Sequence, residues 1–373
     1  MAKSGHFADS SLTTDQRCRW LRAGGIASIR SERRGPSLST VSGKRGRLMR
    51  RRALGLLAGA TALGAAMARA QPARKVPIVG FLHPGLQARG SATMDALRRD
   101  MGEAGLIDGR TVRVEERWGG GEPARVPTLA RELVALEPAV IIAVARASMD
   151  AVRAASLTMP IVGNDLENDP VALGYAATLG KPGGSVTGLF LDAPAICGKW
   201  LQQIGELVPD LRRIAVLWDS ATGPYQRDSF MAAAKAARLE TTVIEYGGGG
   251  VIEAAVDAGL RPDTQVLVQL GSPLINQSGG KIAAVLARRR LPGISPFRTF
   301  PEGGGLVSYG PDLLELYRRL VPFVVKVLKG VKVGDLPIEQ PSKFELVLNL
   351  KTARTLGLTV SAKFLLSADE ALE

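Results

Sequence analysis

The feature that most constrains this chain is an alternation of short apolar runs with amphipathic stretches, made twice over. Residues 76–82 (VPIVGFL) have the make-up of a buried strand. Met94, Leu97 and Met101 then recur on one helical face, with Ser91 placed to cap that helix and Gly105 to end it. Asp108-Gly109 turns the chain into an alternating strand at 111–117. Pro123 suits a first helical turn, and Val126, Leu129, Leu133 and Leu136 form the stripe behind it. The continuous run 139–145 (AVIIAVA) reads as a strand covered on both faces. A helix at about 147–156 and a strand at 160–163 follow.

The pattern then restarts. Strands are predicted at 213–218, 241–246 and 265–270, with helices at about 225–238, 251–259 and 277–289. Two βαβαβ halves result, joined near 189–209, and such alternation forces parallel sheets with helices on both faces. A later strand at 305–309, a helix at 313–329 and the pieces 344–350 and 351–356 have no partners of their own. Pro322 should kink that helix or mark its true start. These terminal pieces are expected to complete the two sheets, so that the chain crosses between lobes more than once. The expected fold class is α/β, two doubly wound parallel-sheet lobes on a multi-crossing hinge. One lobe takes 71–190 with about 303–332, the other 191–302 with about 333–373. Ligands of open α/β sheets sit beyond the carboxyl ends of the strands, which here face one cleft between lobes that close by hinge motion.

The front of the chain reads differently. Arg50–Arg52 form a positive block, 53–68 is an uncharged run rich in Ala, Leu and Gly, and Ala68-Arg69-Ala70 offers small residues to a peptidase. That is the pattern of a secretory signal over 49–70, cleaved to leave Gln71 first. The run is shorter than the ~20 strongly apolar residues a membrane span needs. Residues 1–48 lack a sustained apolar period and are expected to be a disordered or spurious upstream extension. Residues 1–70 hold fourteen Lys/Arg and three Asp/Glu, which is +11 of the total +13, so the remainder is only +2. The basicity therefore belongs to the leader, and a nucleic-acid partner is not expected. Cys197 is the single cysteine after residue 70, which leaves no internal disulfide.

Against this background the stretch 169–188 (DPVALGYAATLGKPGGSVTG) resembles the D-P-V-x-x-G…L-x-x-P-G-G-N-x-T-G run of periplasmic substrate-binding proteins of ABC transporters, in the group of tryptophan- and tyrosine-type binding proteins. GGLVSYGPDLLELYRR (304–319), LPIEQPSKFELVLNLKTARTLGLTV (336–360), the opening VPIVGFLHPG and AGLIDGRTVRVEERW are similar to further blocks of that group. The resemblance spans essentially 76–373. It implies a type I periplasmic-binding-protein clamshell with three interlobe crossings. It also implies capture of a small solute, an amino acid or other carboxylate, without catalysis, by a periplasmic monomer that meets an ABC permease in the inner membrane.

Candidate contacts are the loops after the strands, where free helix N-terminal N–H groups favour a carboxylate. In the first half these are His83-Pro84-Gly85, Arg146-Ala147-Ser148, and Asn164-Asp165 leading to Asp169. In the second half they are Asp219-Ser220, Gly271-Ser272 and Phe297-Arg298, with Tyr309 at the end of the late strand. Arg146 and Ser148 are the leading anion anchors, with a surface ion pair as the alternative for Arg146. By resemblance Gly-Thr is commoner there, so Arg146 points to a more acidic ligand. Asp165 or Asp169 would take a ligand ammonium, although before Pro170 the plainer role of Asp169 is a turn or N-cap residue. Phe297 and Tyr309 either roof the ligand or pack as core and hinge residues. The stretch 269–273 lacks an acidic residue that relatives often carry.

An enzyme is the first rival reading, since the fold class hosts many chemistries. His83 is the only histidine after residue 70, and no G-x-S-x-G, P-loop or strand-to-helix G-x-G-x-x-G occurs. The glycine runs 119–121, 247–250 and 303–305 read as loops, and neither a cofactor nor a metal is expected. A ligand-binding sensor module for a membrane receptor is the second rival, and its sequence would look the same.

Overall fold

A computed structural model describes residues 75–373; the leader and the segment ahead of it lie outside the described residues. The first sheet has five strands, β1 (Ile78–His83), β2 (Arg113–Trp118), β3 (Val140–Val144), β4 (Ile161–Asp165) and β5 (Val186–Phe190), in the order β2-β1-β3-β4-β5, all parallel. Helices α1 (Gln87–Glu103), α2 (Val126–Ala135) and α3 (Ala145–Ala155) alternate with them. Helix α1 starts ahead of the Ser91 expected at its cap, directly after Leu86.

The second sheet has seven strands: β6 (Arg213–Asp219), β7 (Glu240–Tyr246), β8 (Val266–Gln269), β9 (Gly293–Ser295), β10 (Val307–Pro311), β11 (Phe344–Asn349) and β12 (Glu370–Leu372). Their order is β12-β11-β10-β9-β8-β6-β7. Helices α4 (Ala193–Leu207), α5 (Tyr225–Ala236), α6 (Ile252–Gly259), α7 (Pro273–Gln277), α8 (Gly279–Arg289) and α9 (Thr299–Glu302) come before β10; α10 (Leu313–Leu328), α11 (Leu350–Leu356) and α12 (Ala362–Ser367) come after it. Strand β11 runs antiparallel to β10, the one such pair among these strands. It enters the sheet from the hinge side, so its direction is reversed.

Two expectations are corrected. The join at 189–209 contains both a strand and a helix. Asp192 caps α4 by accepting the Ala195 N–H at 3.2 Å, Pro194 sits in the first turn, and Ile196, Trp200, Ile204 and Leu207 make the buried stripe. The 303–332 piece divides: its strand, β10, pairs with β9 and β11 in the second sheet, and only α10 packs on the first sheet and α1. Asp312 caps α10, accepting the Leu314 and Glu315 N–H groups at 3.0 and 3.2 Å, so Pro322 lies within the helix and not at its start.

The chain thus passes between the lobes three times: after β5, after β10, and on the way from α10 to β11. The third passage holds to the first lobe through Glu339, whose backbone bonds to Gly188 and Phe190, and to Arg319 by an ion pair at 2.6 Å. Lys343 then reaches Asp312 of the second passage at 3.4 Å. One buried apolar cluster runs through both lobes, from Val79 and Phe81 through Trp200, Leu320 and Val324 to Val216, Val268 and Phe364. Separate clusters fill the outer faces of the two sheets. No helix of the described residues is long and apolar enough to cross a membrane.

Candidate functional site

The strand order reverses between β1 and β3 in the first sheet and between β6 and β8 in the second. These are the switch points where open α/β sheets leave a crevice. Between the lobes at these strand ends lies a cavity. The first lobe contributes His83, Thr93, Val144, Ala145, Asn164, Leu166 and Glu167, together with Leu313 and Tyr317 from α10. The second contributes Pro273, Asn276, Gln277 and Phe297.

His83 ends β1 and is buried. Its Nδ1 accepts the Gly85 N–H at 2.9 Å, so in the neutral ring Nε2 carries the hydrogen. The ring lies 4.7 Å from that of Trp118, and burial lowers its pKa to about 3. It therefore offers the cavity a neutral aromatic face with one donor. Strand β3 runs straight into α3, with Ala145 held at φ +58° at the junction. That conformation costs a non-glycine residue roughly 1–2 kcal/mol. It brings the free N–H end of an eleven-residue helix to the cavity wall.

The acidic corner after β4 carries the strongest electrostatics. Asp165 accepts the Glu167 N–H and the Asn168 side-chain amide, both at 3.0 Å, and Glu167 accepts the Leu166 N–H at 3.2 Å. Both carboxyls are buried. Burial, and then the neighbouring Asp165, hold Glu167 well above the usual carboxylate range; burial also raises Asp165. The second lobe closes over this corner. Gln226 donates to the Leu166 carbonyl at 3.3 Å and accepts the Gly271 N–H at 2.5 Å. A Cβ at Gly271 would stand 3.4 Å from Glu167 Oε1. Asn164 Oδ1 is buried and has no hydrogen-bond partner. Among the described residues that line the cavity there is no Lys or Arg.

Of the residues singled out from sequence, His83, Asn164 and Phe297 line this cavity. Pro84, Ala147 and Asp219 line a smaller pocket that shares Ala145 and Pro273 with it. Asp219 accepts the Ser272 hydroxyl at 2.6 Å, while Ser272 caps α7; burial raises the Asp219 carboxyl. Gly85, Asp165 and Gly271 stand one layer behind the wall.

Others lie elsewhere. Arg146 does not line the cavity: its guanidinium pairs with Asp150 at 3.1 Å, one helical turn on, and lies against Gly223 of the second lobe. The surface ion pair is thus the role the structure gives it. Ser148 is buried without a partner for its hydroxyl and lines neither pocket. Asp169 accepts the N–H groups of Val171 and Ala172, which is the turn role. Ser220 opens a short 3-10 turn. Tyr309 stacks on Phe344 with centroids 5.9 Å apart, and its carbonyl accepts the Trp200 indole N–H at 2.7 Å. Glu167, Thr93, Asn276, Gln277, Leu313 and Tyr317 were not singled out. Glu167 sits two residues past Asp165 in a loop already marked, whereas α10 reads in sequence only as a core helix.

A family model described as ABC transporter substrate binding protein matches residues 75–372. A tyrosine-binding protein of Clostridioides difficile (strain R20291) is 24% identical over 282 residues, spanning 74% of this chain and 78% of that protein. A conserved domain protein of Vibrio cholerae O1 biovar eltor superposes with a TM-score of 0.74 at 21% identity, over 80% of this chain and 100% of that one. The ABC domain of Streptococcus pneumoniae in complex with L-Trp superposes with a TM-score of 0.72 at 22% identity, over 79% of this chain and 99% of that one. The structural likenesses establish the fold, two facing α/β lobes with three passages between them.

Proposed function

We propose, for a chain that belongs to the ABC transporter substrate-binding protein family, that the interlobe cavity captures an α-amino acid as its zwitterion. The observation that carries this reading is the buried Glu167 carboxyl at a cavity wall without a lining Lys or Arg. A ligand ammonium supplies the missing cation, and the unpartnered Asn164 Oδ1 accepts a second hydrogen from it. The N-terminal end of α3 faces the carboxylate with its free N–H groups. His83, Phe297, Leu313 and Tyr317 leave an apolar, partly aromatic bed for the side chain. The named ligands of the relatives, tyrosine and tryptophan, have this combination of groups. The more acidic solute expected from Arg146 loses its basis, because that side chain is engaged with Asp150.

Around this core stand the wider expectations. The protein works outside the cytoplasm after loss of the 49–70 leader, passes its solute to an inner-membrane permease, acts as a monomer and performs no chemistry on the solute. N-terminal sequencing of the exported protein is expected to begin at Gln71.

The test is calorimetric titration with L-tryptophan, L-tyrosine and their deaminated acids, 3-indolepropionate and 3-(4-hydroxyphenyl)propionate. An amino acid is expected to bind and its deaminated partner is not. Glu167→Gln removes one member of a buried charge pair and is expected to cost about 2–5 kcal/mol of affinity. Equal binding of an amino acid and its deaminated acid, or an unimpaired Glu167→Gln protein, would overturn the assignment.

A further inference from the structure

At the rim of the cavity one side chain of the second lobe grips the backbone of one residue of the first, on both sides of its Cα. Gln277, the last residue of α7, accepts the Leu86 N–H at Oε1 (2.8 Å) and donates from Nε2 to the Leu86 carbonyl (3.2 Å). Gln277 lines both the main cavity and the outer cleft between Leu86, the 120–122 turn and the 249–253 segment, so its carboxamide forms the partition between them. The backbone leading to Leu86 is held firmly. His83 O, Pro84 O and Gly85 O accept the N–H groups of Gly119, Gly121 and Gly120 at 2.8, 3.0 and 3.0 Å, and Gly85 N–H is bound by His83. A Cβ on Gly85 would overlap Gln277 Oε1 and stand 2.8 Å from its Cδ. Gly85 is not in the left-handed region, so the lack of a side chain there answers to the space Gln277 needs and not to backbone strain.

The glycine runs beside it differ in cause: Gly120, Gly121, Gly248 and Gly249 lie at φ +73° to +80°, where the backbone itself favours glycine. A Cβ at Gly121 would lie 3.6 Å from Leu274 of α7, and one at Gly248 would lie 3.0 Å from Pro123 and 3.2 Å from the Gly121 carbonyl. The lobes therefore meet along a seam of bare backbone, and the Gln277 clasp is its directional bond.

We infer that Gln277 is the positioning residue that sets closure: its carboxamide clasps the backbone N–H and C=O of Leu86, and Gly85 is kept bare so that the clasp can form. This rests on the capture role assigned to the cleft but not on the identity of the solute. A neutral two-point amide bond has no ligand contribution, so it biases the empty protein toward the closed arrangement as well.

The test uses the full chain with Cys18→Ser, spin labels on Leu157→Cys and Leu366→Cys at exposed sites of the two lobes, and no solute. Cys197 is buried and stays unlabelled. Pulsed dipolar spectroscopy then compares the parent with Gln277→Ala, Gly85→Ala and the double variant. The expected result is a closed-to-open ratio about thirtyfold lower in each single variant, equivalent to about 2 kcal/mol for two net hydrogen bonds. The double variant is expected to be no worse than either single one, and the far-UV circular dichroism spectrum unchanged. Equal distance distributions in the parent and Gln277→Ala, whether both short or both long, overturn the inference, as does additivity of the two changes. Because no amino acid is added, these outcomes do not depend on whether one binds.

Discussion

Glu167 concentrates the chemistry of the site in one carboxyl. Its native pKa is raised by burial and by Asp165, so the empty protein keeps the proton to higher pH than the unfolded chain does. The stability tied to this group is therefore present at low pH and lost as pH rises from the ordinary Glu value of 4.5 through the raised one. An ammonium placed against it favours the charged form, so ligand uptake releases a proton in that same window. Affinity for an amino acid should rise with pH across it and level off above. Titration calorimetry in two buffers of different ionisation enthalpy reads the proton directly, and Glu167→Gln should abolish it; a pH-independent affinity would contradict the role. The sequence marked the loop but not this residue. Asp165 and Glu167 both follow β4, and what separates them is which carboxyl meets the closed second lobe, a property of a contact between residues about a hundred positions apart. Arg146 is the mirror case: composition offers an arginine at the right loop, and the path of α3 sets its guanidinium beside Asp150.

Among elements, the ones with a clean period were the legible ones. The strand runs at residues 76–82, 139–145 and 213–218 correspond to β1, β3 and β6, and the Val126, Leu129, Leu133 stripe to α2. Strand β5 was missed because Gly188 interrupts its short run and a loop, not a helix, leads into it. That glycine is structural: it sits at φ +132° opposite Gly163 in the β4–β5 register, where a Cβ would overlap the Gly163 carbonyl oxygen. Gly188→Ala adds both backbone strain and a collision with main chain, for which nothing nearby can yield. A loss above about 4 kcal/mol is expected, the range reserved for such defects, visible as insoluble or unfolded protein in circular dichroism. A soluble variant melting within a few degrees of the parent would show that β5 can shift away from β4. Helix α4 was left inside the join between the halves although Asp192, Pro194 and the Ile196–Trp200–Ile204 spacing spell it out from end to end.

At the scale of the whole molecule, the shared apolar cluster matters more than the division into lobes. Helix α10 leaves the second sheet at Asp312, packs on the first, and contributes Leu316, Leu320 and Val324 to a core that continues into β6, β8 and α12. Two-lobed proteins commonly unfold in steps. Here the continuous core predicts one calorimetric transition with equal calorimetric and van't Hoff enthalpies, and two resolved peaks would refute it. The three passages carry a further consequence. The first lobe lacks its covering helix until residue 328 is available, and the second lacks β11 and β12 until the last residues are. No single cut in the polypeptide yields two self-sufficient pieces. A chain delivered N-terminus first, from a ribosome or through a membrane channel, stays unfinished in both halves until nearly all of it has arrived.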